Sequence, residues 1–232
     1  MGLFIAIEGG DGSGKRTQTD LLVKRLQDAG VDVMKVSFPQ YGKPSAEIVS
    51  KYLNGDYGTV NEVHADLASL PFAIDRYAAK QSIVDHLAKD NSVVIADRYV
   101  ASNLAHQGTK LTDTADRHAF YDRITSIEFG VLSLPRPTIS LVLLVPSTIA
   151  QANVDKKDAR IYTDKKRDIH EADATHLDKT RQNYIELTEL YPEQFTAINC
   201  MRSDDEMRTV DEIHNDIWNN ITNLEAHRET VS

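Results

Sequence analysis

Cysteine is almost absent from this chain. Its single copy, Cys200, cannot close an internal disulfide, and no Cys/His grouping has the spacing of a zinc site. Cys200 ends an apolar run and is expected to be a small buried hydrophobe. A basic excess is also missing: 26 Lys and Arg stand against 35 Asp and Glu, a net charge of −9. A whole-chain footprint for nucleic acid is thereby excluded, and anion binding must rest on local clusters. No apolar stretch approaches the length of a membrane span, and no basic n-region precedes the first apolar run. The expectation is a protein of the reducing cytoplasm with neither membrane nor nucleic acid as partner. Internal repeats, low-complexity tracts and long Gly/Ser/Pro linkers are lacking too. The 232 residues therefore read as one domain, 1–232, and 41% hydrophobic residues suffice for its core.

What is present begins at the N-terminus. The apolar run Leu3–Ile7 leads into Gly9-Gly10-Asp11-Gly12-Ser13-Gly14-Lys15-Arg16-Thr17, the phosphate-binding pattern G-x-x-x-x-G-K. Arg16 stands where Ser or Thr is usual, with Thr17 one place later. Glycines serve here because a backbone wrapped around phosphate needs φ > 0 and no obstructing Cβ. Lys15 would reach the β- and γ-phosphates. An amphipathic helix over 16–29 follows, so its positive N-terminal end points at the anion.

Five apolar, β-branched runs read as strands: Leu3–Ile7, Val31–Phe38, Ser92–Ala96, Thr138–Val145 and Phe195–Asn199. Helical patterns fall at about 16–29, 45–54, 62–89, 114–131, 147–157, 171–190 and 209–224. Alternation of this kind predicts an α/β fold, a five-stranded parallel sheet with helices on both faces. Ligands bind beyond the carboxyl ends of such strands. After the third strand stands Asp97-Arg98: an acid placed to hold magnesium directly or through water, and a guanidinium matched to a second phosphate. The alternative is a surface Asp–Arg pair. Phe72 and Arg76 share a helix face at a spacing of four and could stack on a flat base and bond its edge. Core packing plus a surface charge is the plainer alternative. Phe38, Tyr41 and Lys43 add two aromatics and a cation at another strand end. Residues 155–168 are polar and basic, either a solvated loop or a flap closing cations over phosphates.

Taken together, Glu8–Lys15 with Thr17-Gln18, Phe72–Arg76, Asp97-Arg98-Tyr99 through Gln107-Gly108, and Arg167–Glu171 resemble, in order, the motifs of the thymidylate kinase family. The resemblance implies a P-loop nucleoside monophosphate kinase fold with a lid at about 155–170. It implies ATP and dTMP as partners in γ-phosphoryl transfer, a magnesium cofactor and a homodimer, for which the segment 62–89 could supply a face. Carried over by position, Gly9 through Thr17, including Asp11, Ser13 and Arg16, hold ATP. Asp11, Phe38, Tyr41, Phe72, Arg76, Arg98, Asn103, His106, Gln107, Asp168 and His170 surround the acceptor nucleotide, and Asp97, Asp11 and Thr17 serve the metal. His106 and His170 stand where relatives often carry tyrosine. With Gly12 instead of an arginine in the loop, the catalytic arginine belongs in the lid, either Arg160 or Arg167, joining Lys15 and Arg98. No general base is needed, because the acceptor phosphate, with a second pKa of about 6, is already ionised. Arg76 only donates, so dCMP is expected to be a poor acceptor. The rival readings are a kinase for another pyrimidine monophosphate, such as dUMP, and a non-catalytic nucleotide-binding protein. An Asn-Lys-x-Asp guanine motif is absent.

Overall fold

The computed structural model describes residues 2–155, 174–203 and 205–231. The expected lid, with Arg160, Arg167, Asp168 and His170, lies outside them. The strands are β1 Leu3–Gly9, β2 Asp32–Ser37, β3 Ser92–Asp97, β4 Ile139–Leu144 and β5 Phe195–Asn199, all parallel in the order β2-β3-β1-β4-β5. Each matches its expected run to within two residues at either end. The helices are α1 Lys15–Asp28, α2 Glu47–Asn54, α3 Ala65–Leu87, α4 Val100–Gly108, α5 Thr114–Thr125, α6 Ser147–Asp155, α7 Ala174–Leu190 and α8 Val210–Val231. Seven of these correspond to expected patterns. Helix α4 does not: its residues had been read only as the segment following the third strand.

The period of two along β1 divides the core. Phe4 and Ala6 face a cluster with Ile83 of α3, Leu104 of α4, Phe120 of α5 and Tyr184 of α7. Leu3, Ile5 and Ile7 face the other side, with Leu22 of α1 and Ile213, Ile217 and Ile221 of α8. Cys200 belongs to that second cluster, fully buried, and burial pushes its thiol up to about 12. The expectation for it holds.

Between β1 and β3 the strand order reverses direction: β1 connects toward β2, and β3 connects across to β4. A crevice opens there at the carboxyl ends. Ile7 is in register with Asp97, so the loop after β1 and the Asp97-Arg98 turn meet at its mouth.

Candidate active site

Residues 9–15 form a tight loop between β1 and α1. Gly12 has φ +77°, and a Cβ there would lie 2.0 Å from the carbonyl oxygen of Ala150 on α6. No arginine fits at this position while α6 packs so closely, which gives the absence of a loop arginine a steric cause. Asn153 of the same helix donates to the Gly12 carbonyl at 3.0 Å. Gly14 takes φ +88° and starts α1. Lys15 is buried, and its Nζ folds back to donate to the Gly10 carbonyl at 2.6 Å. Arg16 and Thr17 are exposed on the first turn of α1.

Across the crevice, Arg98 sits at φ +69°, a costly conformation for a side chain with a Cβ. Three contacts fix this turn. The Arg98 N–H donates to Ile7 O at 3.0 Å, the Tyr99 N–H to Glu8 Oε1 at 2.8 Å, and Ser102 Oγ to Glu8 Oε2 at 2.6 Å. Tyr184 also reaches Glu8 Oε2, at 3.3 Å. Glu8 is fully buried, and burial raises its pKa against the pull of Ser102, Arg98 and the Tyr99 N–H. The Arg98 guanidinium donates to Asp11 at 2.7 Å, and to Gly9 O and Ser102 Oγ at 3.1 Å each; His106 Nε2 lies at 3.3 Å. Burial would lower its pKa, but Asp11 above all, with Tyr184, Asp97 and Glu8, holds it above the ordinary value. The result is a permanently charged fork fixed at the edge of the phosphate loop.

A second group of side chains lies along α3 and α4. Arg76 is 1% exposed, and its Nε and Nη2 each meet a Glu128 oxygen at 2.5 Å, while Nη1 donates to Tyr99 O at 3.4 Å. Three of the five N–H groups of the fork are committed in this way. Arg76 is thus no surface charge, the plainer of the two readings of it. Burial acts to lower its pKa and Glu128 more than offsets that. Asn103 Nδ2 donates to Ser69 O at 3.1 Å and Glu128 Oε1 at 3.0 Å. Both partners are acceptors, so the amide orientation is determined. Its Oδ1 is left buried without a hydrogen-bond partner among the described residues. Such an atom is rare and calls for a cause.

The aromatics gather nearby. Phe72 and Tyr41 both pack on the small cluster of Val49, Tyr52, Leu53 and Ala68, with Phe72 edge-on to Tyr52 at 6.2 Å. Asp75, fully buried, accepts from the Gln40 N–H at 2.7 Å and Ser45 Oγ at 2.5 Å. That pins the loop after β2 onto α3, with Tyr41 and Phe72 packed on the same small cluster. Tyr52 Oη donates to Gln107 Oε1 at 3.2 Å. Phe38 is buried in the core against Tyr99 at 5.7 Å.

Helix α4 joins the two groups. Ser102 and His106, four apart, face Arg98; Asn103 and Gln107, also four apart, face α2 and α3. Sequence reasoning gave no role to Glu8 or Ser102, though both stand inside its motifs, and missed Glu128, His176 and Tyr184. Only Glu8 left a signal, as the one charge in a strand otherwise apolar up to Gly9.

A phosphate loop at the switch point of this sheet, with a fixed arginine on the neighbouring strand end, defines a kinase of the P-loop nucleoside monophosphate class. Residues 7–213 match the family model described as Thymidylate kinase. The thymidylate kinase of Mycobacterium tuberculosis is 36% identical over 188 residues, covering 80% of this chain and 85% of that protein. The probable thymidylate kinase of Methanocaldococcus jannaschii is 31% identical over 222 residues, 96% and 97% of the two chains. The solved thymidylate kinase from Candida albicans aligns with a TM-score of 0.71 at 24% identity, covering 97% of this chain and 93% of that one, and speaks for the fold. The chain belongs to the thymidylate kinase family. Its fold and its reaction, phosphorylation of dTMP, are as the sequence led one to expect.

Proposed function

We propose that dTMP is read by Arg76 and Asn103 while Lys15 and Arg98 bring the two phosphate chains together. The observation carrying this reading is the buried Asn103 Oδ1 beside the Arg76 fork. Thymine offers an acceptor at O4 and a donor at N3. The remaining Arg76 donors and Asn103 Oδ1 are their complement, and cytosine reverses both groups. A site built around hydrogen bonds rejects an analogue strongly because its own polar groups are then left without partners. Phe72 and Tyr41 flank the ring of the base. Arg98 takes the acceptor phosphate, exchanging part of its hold on Asp11, and Lys15 takes the donor phosphates together with the loop N–H groups. Phosphoryl transfer needs little from the protein besides this placement and its positive charge. A lid at 155–170 within one domain, 1–232, completes the charge through Arg160 or Arg167, with Asp168 and His170 near the acceptor.

The family implies magnesium, and the donors here suit a hard cation. Asp97 at the end of β3, Asp11 in the loop and Thr17 on α1 offer carboxylate and hydroxyl oxygens. Among the described residues no three His, Cys, Asp or Glu side chains converge on one point. This favours an ion shared between one or two carboxylates, water and phosphate oxygens. When bound, magnesium neutralises charge on the transferring group.

A second copy of the chain fits the outer face of α3. Leu67, Leu70, Ile74, Tyr77 and Val84 are exposed there along one helical stripe, which a homodimer would cover. No described helix is long and apolar enough to cross a membrane; the single cysteine, which can close no internal disulfide, makes the reducing cytoplasm the inferred compartment.

Asn103→Leu tests the base reading. It should lower kcat/KM for dTMP by at least about tenfold, the loss of the base's bond to Oδ1, beyond any fall in Tm from the lost bonds to Ser69 and Glu128, while the KM for ATP stays put. Unchanged dTMP kinetics would remove Asn103 from the site.

A further inference from the structure

Two buried histidines form a chain that ends on Arg98. His106 on α4 and His176 on α7 are 7% and 3% exposed. Arg98 Nη1 lies 3.3 Å from His106 Nε2, His106 Nδ1 lies 3.3 Å from His176 Nε2, and His176 Nδ1 lies 3.1 Å from Thr109 Oγ1. Thr109 Oγ1 donates to His106 O at 2.8 Å.

The proton positions follow from the two ends. Arg98 Nη1 shares its two hydrogens among Gly9 O, Ser102 Oγ and His106 Nε2; a guanidinium nitrogen only donates, so in that shared contact His106 Nε2 accepts and its proton is on Nδ1. That proton is directed at His176 Nε2, which must accept, leaving the His176 proton on Nδ1. Thr109 has committed its hydrogen to His106 O, so its oxygen accepts from His176 Nδ1. Among the described contacts, this pattern satisfies all four with a proton on Nδ1 of each ring. A proton added to His106 would set a donor and a positive charge against Arg98. Among the described residues, His106 faces Arg98 with Asp11 behind it, His176, the Tyr184 ring edge-on at 6.3 Å, and Glu8 through Ser102.

We propose that His176 is a positioning residue for Arg98. It fixes the tautomer and ring plane of His106, and His106 fixes the guanidinium toward the acceptor phosphate. The inference rests on the assignment of Arg98 to that phosphate. Leucine at 176 fills similar space without an acceptor. Glutamine can place Oε1 where Nε2 stands.

The test uses the full chain with steady-state kinetics, thermal unfolding, and 15N NMR of the histidine rings. His176→Leu should raise the KM for dTMP at least about tenfold, as expected for a hydrogen-bond chain ending on a charged group. The KM for ATP should change little, and His176→Gln should restore the KM for dTMP. In the unmodified protein both rings should carry their proton on Nδ1. If His176→Leu lowers Tm but leaves the KM for dTMP unchanged, or if leucine and glutamine behave alike, the role is purely structural and the proposal falls. Where the leucine variant does not fold, the tautomers decide: a proton on His106 Nε2 overturns the chain. Arg98→Gln separates the underlying assignment. No rise in the KM for dTMP with that variant would remove Arg98 from the acceptor site, whereas a rise with it but not with His176→Leu would reject His176 alone.

Discussion

Arg76 shows how far a residue's type can mislead about its surroundings. Its spacing from Phe72 puts the two on one helix face, yet nothing in the sequence announces Glu128, 52 residues away, as its partner. Removing one member of a buried pair leaves the other as an uncompensated charge. Glu128→Ala should therefore cost about 3–5 kcal/mol in urea unfolding. Arg76→Ala should cost similarly, and the double variant less than the sum. A loss of activity in Arg76→Ala thus mixes base recognition with stability; Asn103→Leu also takes a donor from Glu128, but leaves the Arg76–Glu128 charge pair in place, so it is read beside its own Tm. Gly12 and Gly14 form another pair of contrasts. Both hold positive φ, but an added Cβ at Gly14 meets nothing within 4 Å, while at Gly12 it meets the Ala150 carbonyl at 2.0 Å. Gly14→Ala should cost roughly 1–2 kcal/mol from backbone strain alone. Gly12→Ala should cost more and raise the KM for ATP, because α6 must shift; equal effects of the two would contradict the packing described.

Among the elements, the strands were the most legible, because unbroken β-branched runs have few other uses in a chain of this kind. Helix α4 was illegible for a physical reason. Its N-cap is Tyr99, which provides no side-chain cap, and the capping carboxylate comes from Glu8 on β1. Ser102, Asn103, His106 and Gln107 face inward on it, so it lacks the apolar stripe by which the other helices are recognised. The motif residues were found; the helix presenting them was not. Helices α5 and α7 are clasped by Glu186, which accepts from Arg117 at 2.8 Å through both oxygens, from Tyr121 at 3.0 Å, and pairs with His118 at 3.1 Å. Hydrogen bonds from Arg117, then those from His118 and Tyr121, hold its carboxyl down at about 2, from an ordinary 4.5. A depressed folded pKa gives stability that is complete above the unfolded value and lost as pH falls toward the folded one. Glu186→Gln should lower Tm at neutral pH, and its gap from the unmodified protein should close between about pH 5 and pH 2. A gap independent of pH would mean that Glu186 acts through packing.

At the scale of the molecule, the alternation of strand and helix patterns was enough to indicate the fold, and the phosphate loop and Asp97-Arg98 stand directly at the carboxyl ends of β1 and β3. What stayed hidden were long-range partners, such as Asp75 for Gln40 and Tyr184 for Glu8, which only the folded topology brings together. The exposed stripe on α3 carries an expectation of its own. Ile74→Glu should shift sedimentation from dimer to monomer at micromolar concentration, and a chain that is monomeric without the substitution would assign that face to something other than a second copy. The central claim is that a donor site faces a pyrimidine monophosphate pocket selective for thymine. Its most direct test is ADP release with ATP and magnesium alone, then with dTMP, dUMP, dCMP and AMP in turn. The account predicts release that depends on dTMP, with dCMP and AMP poor acceptors; equal turnover of dCMP and dTMP, or release indifferent to any acceptor, would contradict it.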